Sequence, residues 1–285
     1  MLRRSLFLSY FFGPAMLLAN SEGVSTTASD LFKLGPITVT NSILTTWLVS
    51  AVIIIAVQFL VGTPKLVPNK GQAIVEGLAQ GLRDALEPVV GKAMIGRVFP
   101  VLCGFFVFIL LMNWSGLLPG VGTLKYQVGA TDWKDLLRPA NSDLNTTLAL
   151  SMVSFAAWTY FVLRYAGIKT LVHDLFGNKS NKSETPIVMW ILLSFIFLGV
   201  GCIEIISILS RLISLSFRLY GNVYGGESLV HSLSAVAKWG APAVSGLLEV
   251  LVGLIQAFVF TLLSAIYIGL ICNHDGGHAD DEHAH

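Results

Sequence analysis

Apolar residues run along this chain in stretches too long for the interior of a water-soluble domain, separated by shorter polar segments. A helix crossing a bilayer core needs about 20 mostly apolar residues. Five segments satisfy this, at about 41–61, 98–118, 145–163, 186–237 and 242–272. Pro186 suits the first turn of the fourth, where its missing N–H is no loss. That fourth segment keeps a helical pattern for about fifty residues, roughly 75 Å at 1.5 Å per residue, far more than an upright crossing needs. It must tilt or kink, and it presents a long lateral surface. Between the first two segments, residues 65–97 set Ile74, Val75, Leu78, Leu82 and Leu86 at helical spacing among Lys65, Lys70, Arg83, Lys92 and Arg97. This is the pattern of an amphipathic helix lying at the membrane surface. The predicted fold class is therefore all-α integral membrane protein: five membrane-embedded helices, including a long tilted helical hairpin, plus a surface amphipathic helix.

The polar positions of the fourth segment are not scattered. Advancing 100° per residue from Glu204, an arc of about 120° collects Glu204, Ser207, Ser210, Arg211, Ser214, Arg218, Gly221, Asn222 and Gly225. Each is polar or glycine, while the rest of the window is apolar or aromatic apart from Ser216. Charge at membrane depth costs about 2.5 to 3.5 kcal/mol per group on insertion scales, so it marks a cavity, a partner or an ion path. Small residues on the same face let another helix approach closely. An internal ion pair to Glu204 or Glu227 is the alternative, and it fits Arg211 best, seven positions from Glu204. Arg218 has only Ser, Gly and Asn beside it on its face, with Glu227 about 180° away. Glu227 can instead meet the fifth segment, which folds back after Trp239, Gly240, Ala241 and Pro242 and carries Ser245, Glu249 and Gln256 within about 60° of one another. In an antiparallel hairpin Glu227 and Glu249 lie toward one side, Glu204 toward the other and Arg218 between, an arrangement of two offset half-paths divided by a fixed positive charge.

Composition narrows the class. Hydrophobic residues make up 54% and charged ones 12%, about half the charge of a soluble domain. The net charge of +1 and the scattered Lys and Arg leave no basic field for nucleic acid. Cys103, Cys202 and Cys272 sit in or at the edge of apolar runs without metal-type spacing and read as small apolar residues. No GxxxxGK[ST] phosphate loop and no HExxH occurs, and Ser115 in NWSG lacks the glycine-flanked turn of a serine hydrolase, which leaves His231 structural. A free-standing channel or secondary transporter would favour inverted repeats and interrupted helices, and neither is visible. Residues 1–36 form an N-terminal stretch whose Arg3, Arg4 and apolar run to Ala19 resemble a cleavable signal, with an uncleaved outer segment the alternative. Residues 37–272 read as one membrane domain and 273–285 as a polar His/Asp tail. The basic residues of 65–97, with Arg164, Lys169, Lys179 and Lys182, set both connections in the cytoplasm, the N-terminus outside and the C-terminus inside.

The segment SLSFRLYGNVYGGESL, residues 214–229, closely resembles the signature of subunit a of the F-type ATP synthase. LMNWSGLLPG from Leu111, SDLNTTLAL from Ser142 and LIQAFVFTLLSAIYI from Leu254 match further blocks of that family, in order, so that the resemblance covers about residues 37–272. It implies the membrane Fo sector of a rotary machine in an energy-coupling membrane, as in the bacterial inner membrane. The partners implied are a ring of c subunits, the b subunits of the peripheral stalk and the rest of the F1Fo complex in a lipid bilayer, with no cofactor and with nucleotide chemistry left to other subunits. Arg218 matches the essential arginine facing the ring; Asn222 and Gln256 match polar residues near it. Glu204 matches a carboxylate of the cytoplasmic half-channel, and Glu227 and Glu249 match positions of the outer one; Ser207 and Ser214 lie along the same path. Some relatives carry His at the Glu249 position, and Tyr220 and Gly225 replace the more usual Phe and Ala. The implied function is proton translocation coupled to rotation, with a sodium-translocating version as the alternative.

Overall fold

The structure, a computed structural model, describes residues 28–34, 37–118, 121, 124–128, 132–168, 172, 187–236 and 241–272. The signal-like stretch to residue 27, Lys169, Lys179, Lys182, Pro186, the turn at Trp239 and Gly240, and the tail from residue 273 lie outside them. An antiparallel hairpin, β1 (Asp30–Leu34) and β2 (Ile37–Thr40), leads into helix α1 (Asn41–Val61). Helices α2 (Lys70–Val90) and α3 (Lys92–Ser115) follow, then a second hairpin, β3 (Lys125–Val128) and β4 (Asp132–Asp135). A 3₁₀ turn (Ala140–Ser142) enters α4 (Leu144–Phe161), which runs on as a π-helical turn (Val162–Ala166). Two long helices, α5 (Ile187–Val236) and α6 (Ala241–Cys272), complete the described chain. Among the described residues five helices, α1, α3, α4, α5 and α6, are long and apolar enough to cross a membrane.

Local chemistry sets the boundaries. Thr40 and Asn69 cap α1 and α2 by accepting the amides of Ile43 and Gln72, and Asp143 caps α4 by accepting that of Asn145. The surface helix α2 stops at Val90, short of the expected residue 97, and the next helix begins at Lys92 rather than Val98. Gly91 is the cause: its φ of 90° is open to glycine but strained for other residues, and the chain turns there from the surface into the bundle. Arg97 therefore belongs to α3, with its guanidinium 4.9 Å from the centre of the Tyr165 ring. On α2, Leu82 and Leu86 are buried, as is Gln72 in the first turn, whereas Ile74 and Leu78 are exposed, so the helix packs at its two ends and leaves its middle open. Neither hairpin was anticipated from the hydrophobic pattern, because both are too short to leave one.

Helix α6 is the central post. Its Ala265 and Ile268 join Leu86, Val90, Ile95, Val98 and Leu102 in one buried cluster, and its Ala257 and Phe260 join Phe105, Ile109, Leu215 and Leu219 in another. Only 6% of the most apolar stretch of α5 is buried, against 44% for α6, so α5 lies along the flank of the bundle. Polar bonds fix the same packing. Asn113 donates from Nδ2 to the Gly253 carbonyl at 3.1 Å and accepts from Asn141 Nδ2 at 2.7 Å, while Trp114 Nε1 reaches the Val250 carbonyl at 3.1 Å. A Cβ on Gly253 would stand 3.1 Å from that of Asn113, so glycine is what lets α3 approach α6 closely enough for these bonds.

Candidate functional site

The buried side of α5 consists of Leu215, Ser216, Leu219 and Val223, with Ser216 Oγ 3.2 Å from Thr147 Oγ of α4. A helix has one inner face, and these three apolar residues with Ser216 occupy it; the polar strip is therefore turned outward. Ser210, Ser214, Arg218, Gly221 and Gly225 are exposed, and Glu204, Ser207, Arg211 and Asn222 are half-buried. Among the described residues Arg218 has no hydrogen-bond or ion-pair partner. One turn further on, Asn222 Nδ2 donates to Gln256 Oε1 of α6 at 2.7 Å. Gln256 is 4% exposed, and among the described residues its Nε2 is a buried donor without a partner.

Arg211 behaves differently from Arg218. Its Nη2 donates to Glu204 Oε1 at 2.9 Å and to Ser207 Oγ at 3.2 Å, and its guanidinium lies 4.7 Å from the centre of the Tyr267 ring of α6. It also walls a cavity of about 40 Å³ between α4, α5 and α6, into which Ser151, Ser154 and Ser264 turn. The seven-residue spacing noted in the sequence is thus an ion pair, and the two arginines of the strip are chemically distinct.

The opposite end of α5 carries the second polar group. Along the axis Glu204 is about 21 Å from Arg218, and Glu227 about 14 Å beyond it in the other direction. A Cβ on Gly226 would meet Glu249 Cδ and Oε1 at 3.2 Å, so the returning helix brings the Glu249 carboxyl against α5 at that end. Ser245, also on α6, is buried. On α6, Glu249 is among the charged groups around Glu227, and Arg138 is a further one, with its Nη2 4.0 Å from Oε2. Arg138 falls between the second and third predicted spans, yet it is 6% exposed. Its signal lay in the LRPANSDLN run, where a cation precedes a helix-capping Asp, but nothing local said that this segment dips into the bundle.

A flank of exposed small and polar residues around Arg218, unpaired among the described residues, with acidic groups toward both ends, belongs to a multi-pass helical membrane protein. The family model described as "ATP synthase A chain" matches residues 43–269. The ATP synthase subunit a 2 of Chlorobium luteolum is 31% identical over 87% of this chain and 69% of its own length. ATP synthase subunit a of Desulfotalea psychrophila is 30% identical over 80% of this chain and 83% of its own, and the subunit a 2 of a Bradyrhizobium strain 29% over 85% and 93%. The chain belongs to the ATP synthase subunit a family. It is accordingly a membrane subunit of a complex with other ATP synthase subunits.

Proposed function

We propose that this chain translocates protons across an energy-coupling membrane by guiding them to and from a ring of c subunits, with Arg218 coupling the flow to rotation. The observation that carries the reading is the state of Arg218: exposed on the flank of the bundle, without a partner among the described residues, and surrounded by Ser214, Gly221 and Gly225. An isolated guanidinium at membrane depth is costly unless a carboxylate from another chain comes opposite it. A ring carboxyl that crosses lipid neutral would release its proton on reaching that charge, because a cation within about 4 to 6 Å favours the ionised form. The same charge opposes direct passage between the half-paths. Glu204 and Ser207 belong to the cytoplasmic half-path with Ser214, and Glu227 and Glu249 to the outer one, with Asn222 and Gln256 between; the roughly 35 Å from Glu204 to Glu227 along α5 fits half-paths that do not meet.

On this reading residues 37–272 form one membrane domain with the N-terminus outside, b subunits hold it static, and residues 273–285 are a polar tail. The test is Arg218→Ala in the complete complex, followed by ATP-driven acidification of inverted membrane vesicles. Acidification is lost while subunit a and the ring still copurify; pumping at the parental rate would refute the assignment. Dependence of pumping on sodium rather than on a proton gradient would replace the proton by sodium and leave the role of Arg218 intact.

A further inference from the structure

Arg138 is a buried cation that the proposed path does not use. Its surroundings hold it in place from three directions. Its backbone N–H donates to Thr45 Oγ at 3.2 Å, and its Nε donates to Ser142 Oγ at 2.8 Å. Thr45 in turn bonds the Asn41 carbonyl, and Asn41 Nδ2 reaches the Asp135 carbonyl at 3.0 Å, so the N-terminal turn of α1 grips the segment just before Arg138. Ser142 is pinned by its own bond to the Pro139 carbonyl at 2.8 Å. Asn41, Thr45 and Ser142 are all buried. Glu227 lies 4.0 Å away on α5, with its side chain 21% exposed against 7% for that of Arg138. The remaining charged groups around Glu227 are Glu249 and Asp135. A fixed, nearly dry guanidinium thus faces a wetter carboxylate, and the second carboxyl, Glu249, stands against the adjoining Gly226.

We infer that Arg138 is a positioning residue for proton transfer between Glu227 and Glu249. Its attraction for Glu227 exists only while that carboxylate is charged. Ionised, Glu227 is drawn to Arg138 and takes a proton from a hydronium ion, leaving water. Neutral, it is released, turns toward Glu249 and gives the proton to that carboxylate, then returns ionised. The guanidinium stays where α1 and Ser142 hold it, so the carboxyl is the part that moves. This rests on the reading of Glu227 as a path residue, and it adds that α1 and the segment before α4 act on the path without touching the ring.

The test uses the whole complex carrying Glu227→Gln, Arg138→Met, Arg138→Lys and the double variant Arg138→Met with Glu227→Gln, with passive proton flow through the membrane sector as readout. Arg138→Met lowers flow by about tenfold or more, Arg138→Lys recovers most of it, and the double variant is no worse than Glu227→Gln alone, since groups that act together are not additive. Multiplying losses in the double variant, or parental flow in Arg138→Met, would overturn the inference while leaving the path intact. Parental flow in Glu227→Gln would instead remove Glu227 from the path. If Arg138→Met fails to assemble because Glu227 is left as an unpaired buried charge, the double variant restores assembly; an equal failure of the double variant overturns the pairing.

Discussion

Replacing Gly226 by alanine tests how closely the Glu249 carboxyl must be placed. The added methyl would sit 3.2 Å from both Cδ and Oε1 of Glu249. Carbon atoms prefer about 3.5 to 4.0 Å, so the carboxyl must withdraw by roughly 0.3 to 0.8 Å. A flexible side chain does this by leaving its rotamer minimum, at about 0.5 to 1.5 kcal/mol. Exchanging glycine for alanine inside a helix returns about 0.8 to 1 kcal/mol. The two terms nearly cancel, so Gly226→Ala assembles normally and melts close to the parent in detergent, while the displaced Glu249 slows ATP-driven pumping several-fold. Gly226→Val needs a larger shift and slows it further. Shortening the acid in Gly226→Ala with Glu249→Asp restores part of the rate. Normal assembly of Gly226→Val with pumping at the parental rate would refute the reasoning, because the carboxyl's position would then not matter.

Three further outcomes follow from the same geometry. Arg211 and Glu204 are bonded at 2.9 Å but their side chains are 31% and 44% exposed, so breaking the pair with Arg211→Gln costs at most about 1 kcal/mol in a thermal melt, whereas Glu204→Gln lowers pumping. Equal loss of assembly and of pumping in Glu204→Gln would make the pair purely structural. Ser154 and Ser264 share a buried bond of 2.9 Å between α4 and α6; either alanine variant lowers melting stability by about 0.6 to 1.7 kcal/mol, and the double variant by less than the sum. Gln256→Leu removes one bond to Asn222 but also a buried unpartnered Nε2, so stability stays within about 1 kcal/mol of the parent while pumping falls; a large drop in stability would show that the Nε2 has a partner.

The readings that succeeded from the chain alone were those governed by one helix at a time. The outward strip on α5 was legible because a single helical period decides which residues share a face, and the Arg211–Glu204 pair because two turns bring them together. That Arg138 also faces Glu227 was not legible. A wheel gives the direction in which a side chain leaves its own helix, and it cannot say that the segment before α4 shares that space with α6. The bounds of α2 and α3 slipped for a related reason: Gly91 can continue or break a helix, and only its backbone conformation, set by how the two helices dock, decided for a break.

Hydrophobic run length and period thus determined by themselves that this protein is a helical membrane protein with a long polar-striped helix, since transfer of apolar surface out of water depends on composition and is satisfied segment by segment. Tertiary structure alone decided that Asn113, Asn141 and Gly253 meet, that Asn222 finds Gln256, and that Arg138 is buried 4.0 Å from Glu227. Those are pairings between segments distant in the chain, where distance and orientation matter on the scale of an ångström, and no local pattern encodes them.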